Sequence, residues 1–296
     1  MSPLRLALAL LGLLAAAGCG STTSSDDPDD GNPTSMPSTD LIFDHQHTNL
    51  SRVPAEWINT AKQTLRIAYG HTSHGSQIVT GLGALATGLG SPYAFTSSWG
   101  YEPGYFLNDS GIEGADDLGS PDRTTWSAAT RRLLKRSGCD RNVVMWSWCG
   151  QVDGSASDIQ SYLDQMSDLE RDFPAVRFIY MTGHLDGSGA DGNVHGRNEQ
   201  IRAYCRDHGK VLFDFADIES WDPDAKTYYL PLGADDGCDY SGGNWAQKWI
   251  ASHPDHQLTA LARQCEDCAH SETLNCVQKA RVFWWMAARL AGWDGK

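Results

Sequence analysis

The chain has 296 residues, enough to bury a large core in one domain or in two small ones. It contains 23 Lys and Arg residues against 37 Asp and Glu residues, which gives a formal net charge of −14. This acidic balance argues against nucleic acid or an anionic lipid surface as a partner, because phosphate groups are bound by clustered cations.

The N-terminus has the pattern of an export signal. Arg5 precedes an apolar run over residues 6–17 that is too short for a permanent membrane-spanning helix. The sequence Ala-Ala-Gly-Cys ending at Cys19 is typical of a bacterial lipoprotein cleavage site, so we expect a signal peptide over 1–19 and a lipid on Cys19. Cleavage at an Ala-x-Ala site followed by secretion is the alternative. The first route predicts a protein of the bacterial cell envelope whose only membrane contact is its lipid anchor, and the second predicts a secreted protein.

Residues 20–40 are almost entirely Ser, Thr, Asp, Gly and Pro, which predicts a disordered tether. The rest, 41–296, is expected to form a single domain in which strand-like and helix-like segments alternate. Strands are predicted at 64–69, 142–148, 176–181 and 211–215, and helices at 54–63, 76–88, 124–137, 157–171, 195–208, 256–264 and 273–291. Mostly apolar strands alternating with helices indicate an α/β fold, with a mostly parallel sheet of four to five strands covered on both faces.

Two segments lack regular signals. Residues 90–122 are rich in Gly, Ser, Asp and aromatic side chains, and a loop of this length is either a binding loop or lid, or a flap packed by its own aromatics. Residues 218–253 are expected to be a second irregular excursion.

Polar side chains follow three of the predicted strands at the point where each strand ends. Ligands of open parallel sheets bind at the carboxyl ends of the strands, so these side chains are expected to meet. The residues singled out are His71, Ser73 and His74 after the first strand, Gly150 and Gln151 after the second, and His184 and Asp186 after the third. Their convergence favours an enzyme.

The first of these groups lies in the run Gly-His-Thr-Ser-His-Gly over 70–75. A serine where a strand turns into a helix is lifted out of the sheet, beside backbone N–H groups that aim at one point, as nucleophilic hydrolases require. An ordinary Gly-rich turn is the alternative. Asp267-Cys268-Ala269-His270, just before the last helix, supplies a base and a carboxylate close enough in sequence to hydrogen-bond to it.

With this order of motifs the chain resembles the SGNH, or GDSL-type, hydrolase superfamily over residues 64–291. The resemblance implies a flavodoxin-like α/β/α sandwich in three layers. It implies that Ser73 is the nucleophile, His270 the general base, Asp267 its orienting carboxylate and Gly150 an oxyanion donor. The third block departs from the family pattern, because Leu185 stands where the family has an oxyanion Asn. Gln151, His184 and Asn193 are candidates for that second donor.

The expected function is therefore that of an exported serine esterase needing no cofactor. His270 would take the Ser73 proton as Oγ attacks an ester carbonyl, and water would then release the acyl group. The substrate is expected to be a small-molecule or polysaccharide ester, such as an O-acylated carbohydrate. His71, His74 and Asp186 are counted among the substrate-binding candidates.

Two other functions remain open. A zinc-dependent hydrolase would use His71, His74, His184 and Asp186, with His45 and His47 as further candidate ligands. A non-catalytic glycan-binding lipoprotein would use exposed aromatics, with Ca²⁺ as a possible ligand of its acidic loops. The acidic candidates are Asp116, Asp117, Asp235, Asp236 and Asp239.

The eight cysteines fit an oxidising compartment. Cys139 and Cys149 flank a predicted strand about 30 Å long, which is beyond disulfide reach. One pair is expected among Cys265, Cys268 and Cys276. Cys149 stands beside Gly150, where it is either a nucleophile or, as we expect for an exported protein, a disulfide partner of Cys205 or Cys238.

Overall fold

The structure, a computed structural model, describes residues 41–109 and 112–296. The predicted signal peptide, the lipid site at Cys19 and the tether over 20–40 lie outside the described residues. Within the described part, seven strands form one sheet and two more form a small hairpin. They are β1 (Ile42–Phe43), β2 (Ile67–Gly70), β3 (Ser97–Trp99), β4 (Leu107–Asp109), β5 (Val143–Trp146), β6 (Arg177–Met181), β7 (Val211–Phe213), and the hairpin strands β8 (Asp239–Tyr240) and β9 (Gly243–Asn244).

All neighbouring strands of the large sheet are parallel, and their order is β1-β7-β6-β5-β2-β4-β3. The helices are α1 (Ala55–Thr64), α2 (Ser73–Leu89), α3 (Thr125–Leu134), α4 (Ala156–Asp172), α5 (Asn193–His208), α6 (Phe215–Glu219), α7 (Trp245–Ser252), α8 (Gln257–Gln264) and α9 (Thr273–Leu290). Helices pack on both faces of the sheet, so the predicted three-layer α/β/α architecture is confirmed.

Alternation along each strand divides the core between the two faces. In β2, Ile67 and Tyr69 pack with side chains of α1, α2, α8 and α9, whereas Ala68 packs on the opposite face with α3, α4 and α5. The central strands β2 and β5 are buried along their whole length and on both faces, and this explains why they read as nearly continuous apolar runs.

The prediction of four to five strands was too low. The missed strands β1, β3 and β4 have two or three residues each. Strands β1 and β3 are the two edges of the sheet, and β4 lies next to β3. Segments this short show no alternation of their own and become strands only by pairing with a neighbour, as β4 does with β2. The irregular excursion over 218–253 likewise contains α7 and the hairpin.

Helix termini follow their local signals in one case and not in another. Ser155 caps α4 in a reciprocal capping box with Asp158. Helix α2 begins at Ser73, three residues before the predicted start, so that the serine belongs to the first turn of the helix. No helix in the described ranges combines the length and apolar character required to cross a bilayer.

Candidate active site

The Gly-His-Thr-Ser-His-Gly run turns directly from β2 into α2, and two glycines permit the close packing. A Cβ on Gly70 would lie 2.3 Å from the Trp146 ring, and one on Gly75 would lie 2.2 Å from Ser147 Oγ. Thr72 precedes the helix without capping it, because its hydroxyl donates instead to Asp117 at 2.9 Å. The first N–H groups of α2, beginning at Ser73, are therefore not satisfied by a side-chain cap.

Ser73 meets His270 across 197 positions of sequence. The Oγ of Ser73 lies 2.9 Å from Nε2 of His270. The histidine stands in a left-handed backbone conformation (φ 60°) in the segment between α8 and α9. That segment is held by the Cys268–Cys276 disulfide, one of the pairs expected from sequence, and by a 2.6 Å hydrogen bond from Gln77 to the Ala269 carbonyl. The contact thus joins two anchored parts of the chain.

Asp267 does not make the local hydrogen bond to His270 that the sequence predicted. Its side chain is exposed, and among the described residues no hydrogen bond joins it to His270. The physical reason is the intervening Cys268, which turns inward to its disulfide while Asp267 points to solvent. The carboxylate grouped with the His270 ring is instead that of Asp236, since the ligand atoms of Asp236, His74 and His270 all lie within 4.8 Å of one another.

Three imidazole rings form a stack beside Ser73. The ring of His74 lies between those of His184 and His270, with centroid separations of 3.9 and 4.5 Å and interplanar angles of 6° and 11°. His74 is buried; its Nε2 is 2.8 Å from Asp236 Oδ2, and its Nδ1 is 3.1 Å from the Cys149 sulfur. Cys149 Sγ is also 3.9 Å from Ser73 Oγ.

The protonation state of His74 follows from its surroundings. Burial lowers the pKa of the imidazole, and His184 beside it adds to this, which outweighs the opposing hydrogen bond to Asp236. Burial alone would raise the pKa of the Asp236 carboxyl, but the hydrogen bond from His74 and the neighbouring His184 and His74 rings lower it overall. At neutral pH a neutral His74 therefore donates from Nε2 to an ionised Asp236, and its Nδ1 accepts from the Cys149 thiol.

Of the four residues first proposed as zinc ligands, only His74 and His184 lie together. Nε2 of His71 is 2.6 Å from Asp109, while Asp186 accepts hydrogen bonds from the backbone and hydroxyl of Ser188. His45 pairs with Asp217 and His47 with Asp44, apart from the stack. His74 and His184 are neighbours, but ring-nitrogen lone pairs lie in the ring plane, so those of parallel stacked rings do not converge on one ion. The same argument applies to His74 and His270.

The acidic residues considered as Ca²⁺ ligands serve local turns. Asp117 is buried and accepts from Thr72 and from the Gly119 N–H, and Asp116 accepts from Ser120. Asp235 accepts from the Asp239 backbone. Its own backbone bridges that of Asp186, which fixes the turn carrying Asp236.

The candidate oxyanion donors differ in how they are engaged. Gly150 is exposed, opens the 3-10 turn after β5, and has open space where a Cβ would point. The amide of Gln151 accepts from the Cys149 N–H at 2.9 Å and donates to Asp117, so it holds the turn. The amide of Asn193 donates to Asp153 and Gly154 instead of to residues around Ser73.

His184 is poorly suited to donate a hydrogen bond to an oxyanion. Its Nδ1 lies 2.6 Å from the Leu185 carbonyl oxygen and must donate to it, which leaves Nε2 of the neutral ring without a proton. That Nε2 is buried without a hydrogen-bond partner among the described residues. Of the predicted donors, Gly150 and the uncapped N–H groups of α2 therefore remain.

Sequence reasoning missed the contacts of two residues. Asp236 was considered only as a candidate Ca²⁺ ligand in an acidic loop, and no local pattern links a turn aspartate to a histidine 162 positions away. Cys149 was expected in a disulfide with Cys205 or Cys238, but all three thiols are free. Cys205 is buried in the core on one face of the sheet and Cys238 in the core on the other, so neither reaches the strand end that carries Cys149.

A cleft of about 550 Å³ adjoins the site. His71 and Thr72 line it on one side and Trp99 and Asp116 on another. Trp99 is 80% exposed, which leaves an indole face open to solvent.

Searches against protein-family models, curated proteins and solved structures found no match to this chain.

Proposed function

We propose that this chain is an exported serine carboxylic ester hydrolase with Ser73 as nucleophile and His270 as general base. The observation that carries the proposal is the 2.9 Å contact between Ser73 Oγ and His270 Nε2. A nucleophile within hydrogen-bond reach of a base is the requirement for acyl transfer by a hydroxyl. Export is supported by the N-terminal signal pattern.

The reaction begins when Ser73 Oγ attacks the ester carbonyl and its proton passes to His270. The alcohol leaves with that proton, and water, activated by the same imidazole, releases the acid. The nearby Asp236 carboxylate stabilises the imidazolium that forms in each half-reaction, since its pKa lies below the ordinary value and it stays ionised. The N–H groups at the start of α2 and at Gly150 are the donors for the oxyanion, and each such donor contributes about 3 kcal/mol in the transition state.

The adjoining cleft favours an esterified carbohydrate as substrate. Exposed indole faces pack against the apolar faces of sugar rings, and Trp99 lies in the cleft that Thr72, next to Ser73, also lines. The acidic charge of the chain suits a neutral ligand better than a polyanionic one.

The test uses p-nitrophenyl esters and acetylated glycans with wild type, Ser73→Ala and His270→Ala. We expect both variants to lose turnover, and a fluorophosphonate probe to label wild type at Ser73. His195→Ala is the matched control, since among the described residues His195 has no hydrogen bond to the site, and it should retain wild-type activity. Full activity in Ser73→Ala would reject the proposal. So would activity that is lost with a chelator and restored by zinc, and absence of labelling would favour the glycan-binding alternative.

A further inference from the structure

Cys149 has a base and a carboxylate of its own. Its sulfur lies 3.1 Å from His74 Nδ1, and the opposite nitrogen of that ring lies 2.8 Å from Asp236 Oδ2. Thiol, imidazole and carboxylate thus stand in series, with the carboxylate fixing the tautomer that leaves Nδ1 free to accept a proton. This series shares no hydrogen bond with the Ser73–His270 contact, although the two run side by side.

The surroundings of Cys149 differ from those of the other free thiols. Cys205 and Cys238 are buried, and burial raises the pKa of the Cys238 thiol to about 12 and that of Cys265 to about 11. Cys149 is only partly buried, and no disulfide occupies its sulfur. Buried thiols of raised pKa are inert, whereas a partly exposed thiol beside an imidazole is reactive.

The backbone around Cys149 is also prepared for attack on a carbonyl. The Gln151 side chain binds the Cys149 N–H and is itself anchored to buried Asp117. The next residue, Gly150, opens a helical turn with free space above its Cα. The sulfur is therefore held just after the end of β5, 3.9 Å from Ser73 Oγ.

We propose that Cys149 is a second nucleophile of this site, which accepts an acyl group with His74 as its base and Asp236 as the residue that positions His74. The proposal rests on the proposed function for its substrate class, a carboxylic ester. A bond forms between Sγ and the carbonyl carbon as the bond from that carbon to the leaving oxygen breaks. The thiol proton passes to His74 Nδ1 and then to the departing oxygen, and the product is a thioester on Cys149.

The experiment is done in the full-length Ser73→Ala protein, so that the serine cannot contribute. With p-nitrophenyl acetate we expect a burst of p-nitrophenolate and an acetyl group on the Cys149 peptide that neutral hydroxylamine removes, as it does thioesters. Adding Cys149→Ser should abolish the burst, and adding Asp236→Asn should slow it about 100-fold. Adding Cys139→Ser, at a partly buried thiol outside the site, should change nothing.

Rescue by a conservative variant separates positioning of His74 from a merely structural effect of Asp236. At one pH near neutrality, iodoacetamide should alkylate Cys149 faster than Cys139 in Ser73→Ala, because His74 accepts the thiol proton as the sulfur attacks. In Asp236→Asn the alkylation rate at Cys149 should approach that at Cys139 while the protein stays folded. Asp236→Glu, which keeps a carboxylate facing His74, should restore most of the difference. If Cys149 is acetylated or alkylated no faster than Cys139 in Ser73→Ala, the proposal is overturned.

The two proposals fail separately. Fluorophosphonate labelling of Ser73 in Cys149→Ser reports the serine alone, and the acetyl group on Cys149 in Ser73→Ala reports the thiol alone. Labelling without acetylation would reject the thiol nucleophile and leave the esterase. Acetylation without labelling would reject the serine and leave Cys149.

Discussion

The site has two regions of opposite character, a rim and a floor. The rim consists of Ser73, which is half-buried, and His270, which is exposed. The floor consists of Gln77, Glu219 and Lys279, all 0% exposed. In the floor, Lys279 Nζ lies 2.6 Å from Glu219 and also donates to Gln77. The rim offers its polar atoms to solvent and substrate, whereas the floor satisfies its own within the protein.

The floor nevertheless determines where the rim lies. Glu219 accepts a 2.8 Å hydrogen bond from the Leu185 N–H, next to His184, and Gln77 donates to the carbonyl of Ala269, next to His270. Replacing a buried ion pair with apolar residues is often neutral or stabilising, so its presence here is better explained by positioning than by stability. The comparison assigns chemistry to the rim and geometry to the floor, and each assignment can be tested.

Removing the rim should give the largest effect on activity with the least effect on folding. Ser73→Ala, His270→Ala and the double variant should each lower kcat/KM for a p-nitrophenyl ester by about 10⁴-fold or more, because a nucleophile and its base act as one unit. Their melting temperatures should stay near that of wild type, because neither side chain is buried. Losses that multiply in the double variant, or a lowered melting temperature, would contradict this view of the rim.

Breaking the ion pair of the floor should instead have its main effect on stability. Glu219→Gln leaves the buried Lys279 ammonium without its counter-charge and should lower the free energy of unfolding by about 3–5 kcal/mol, as measured by urea denaturation. The loss should diminish as pH rises, because burial already lowers the pKa of Lys279 and an unpaired ammonium sheds its proton more readily.

The double variant Glu219→Gln/Lys279→Met is the control for the floor. Removing the stranded charge should recover at least half of the lost stability. Activity should recover less than stability, because the contact with Gln77 beside the Ala269 segment is gone. Full recovery of both would show that the floor does not position the rim.

The central strands could be predicted from sequence because a strand that is buried on both faces has a continuous run of apolar residues, as in residues 143–146. The short strands β1, β3 and β4 could not, because strands of two or three residues depend on a partner for their conformation. Helix α2 was predicted to begin too late for a related reason. The polar residues Ser73 and His74 face the site and lack the apolar spacing that marks a helix.

The site divides in the same way. Ser73 and His270 could be named because each stands at a defined place in chain order, one after a strand and the other before the last helix. Asp236 could not be named, because its contact with His74 depends on the turn that carries it. That turn is fixed by the bridge between Asp235 and Asp186, which are distant in sequence. The disulfide partners proposed for Cys149 were wrong because spacing gives no information on which core a cysteine enters.

A smaller effect should appear in the pH dependence of stability. Burial lowers the pKa of His74, so as pH falls from about 7 to 5.5 the unfolded chain takes up this proton before the folded protein does. His74 therefore destabilises the folded protein as pH falls. The free energy of unfolding of wild type should decrease more than that of His74→Gln over this window. His45, whose net pKa is raised by Asp217 despite burial, acts in the opposite direction in both proteins and cancels in the difference. The charged and titratable groups that face His74 are those of Asp236, Cys149, His184, His270 and Glu219. If the free energy of unfolding, measured with urea, changed equally with pH in wild type and in His74→Gln, the neutral state of His74 would be contradicted.

The smallest effect should come from the carboxylate that the sequence favoured. Asp267→Asn should change kcat/KM less than about threefold, because an exposed carboxylate with no hydrogen bond to the base contributes little in water. Asp236→Asn should lower it at least about tenfold, because it removes the half-buried negative charge that lies within 4.8 Å of the His270 ring nitrogen. Both substitutions are isosteric, so the same ester assay compares them directly. A larger loss for Asp267→Asn than for Asp236→Asn would mean that the segment around Cys268 rearranges during turnover and brings Asp267 to Nδ1 of His270. The rim would then move during the reaction, whereas the floor would stay fixed.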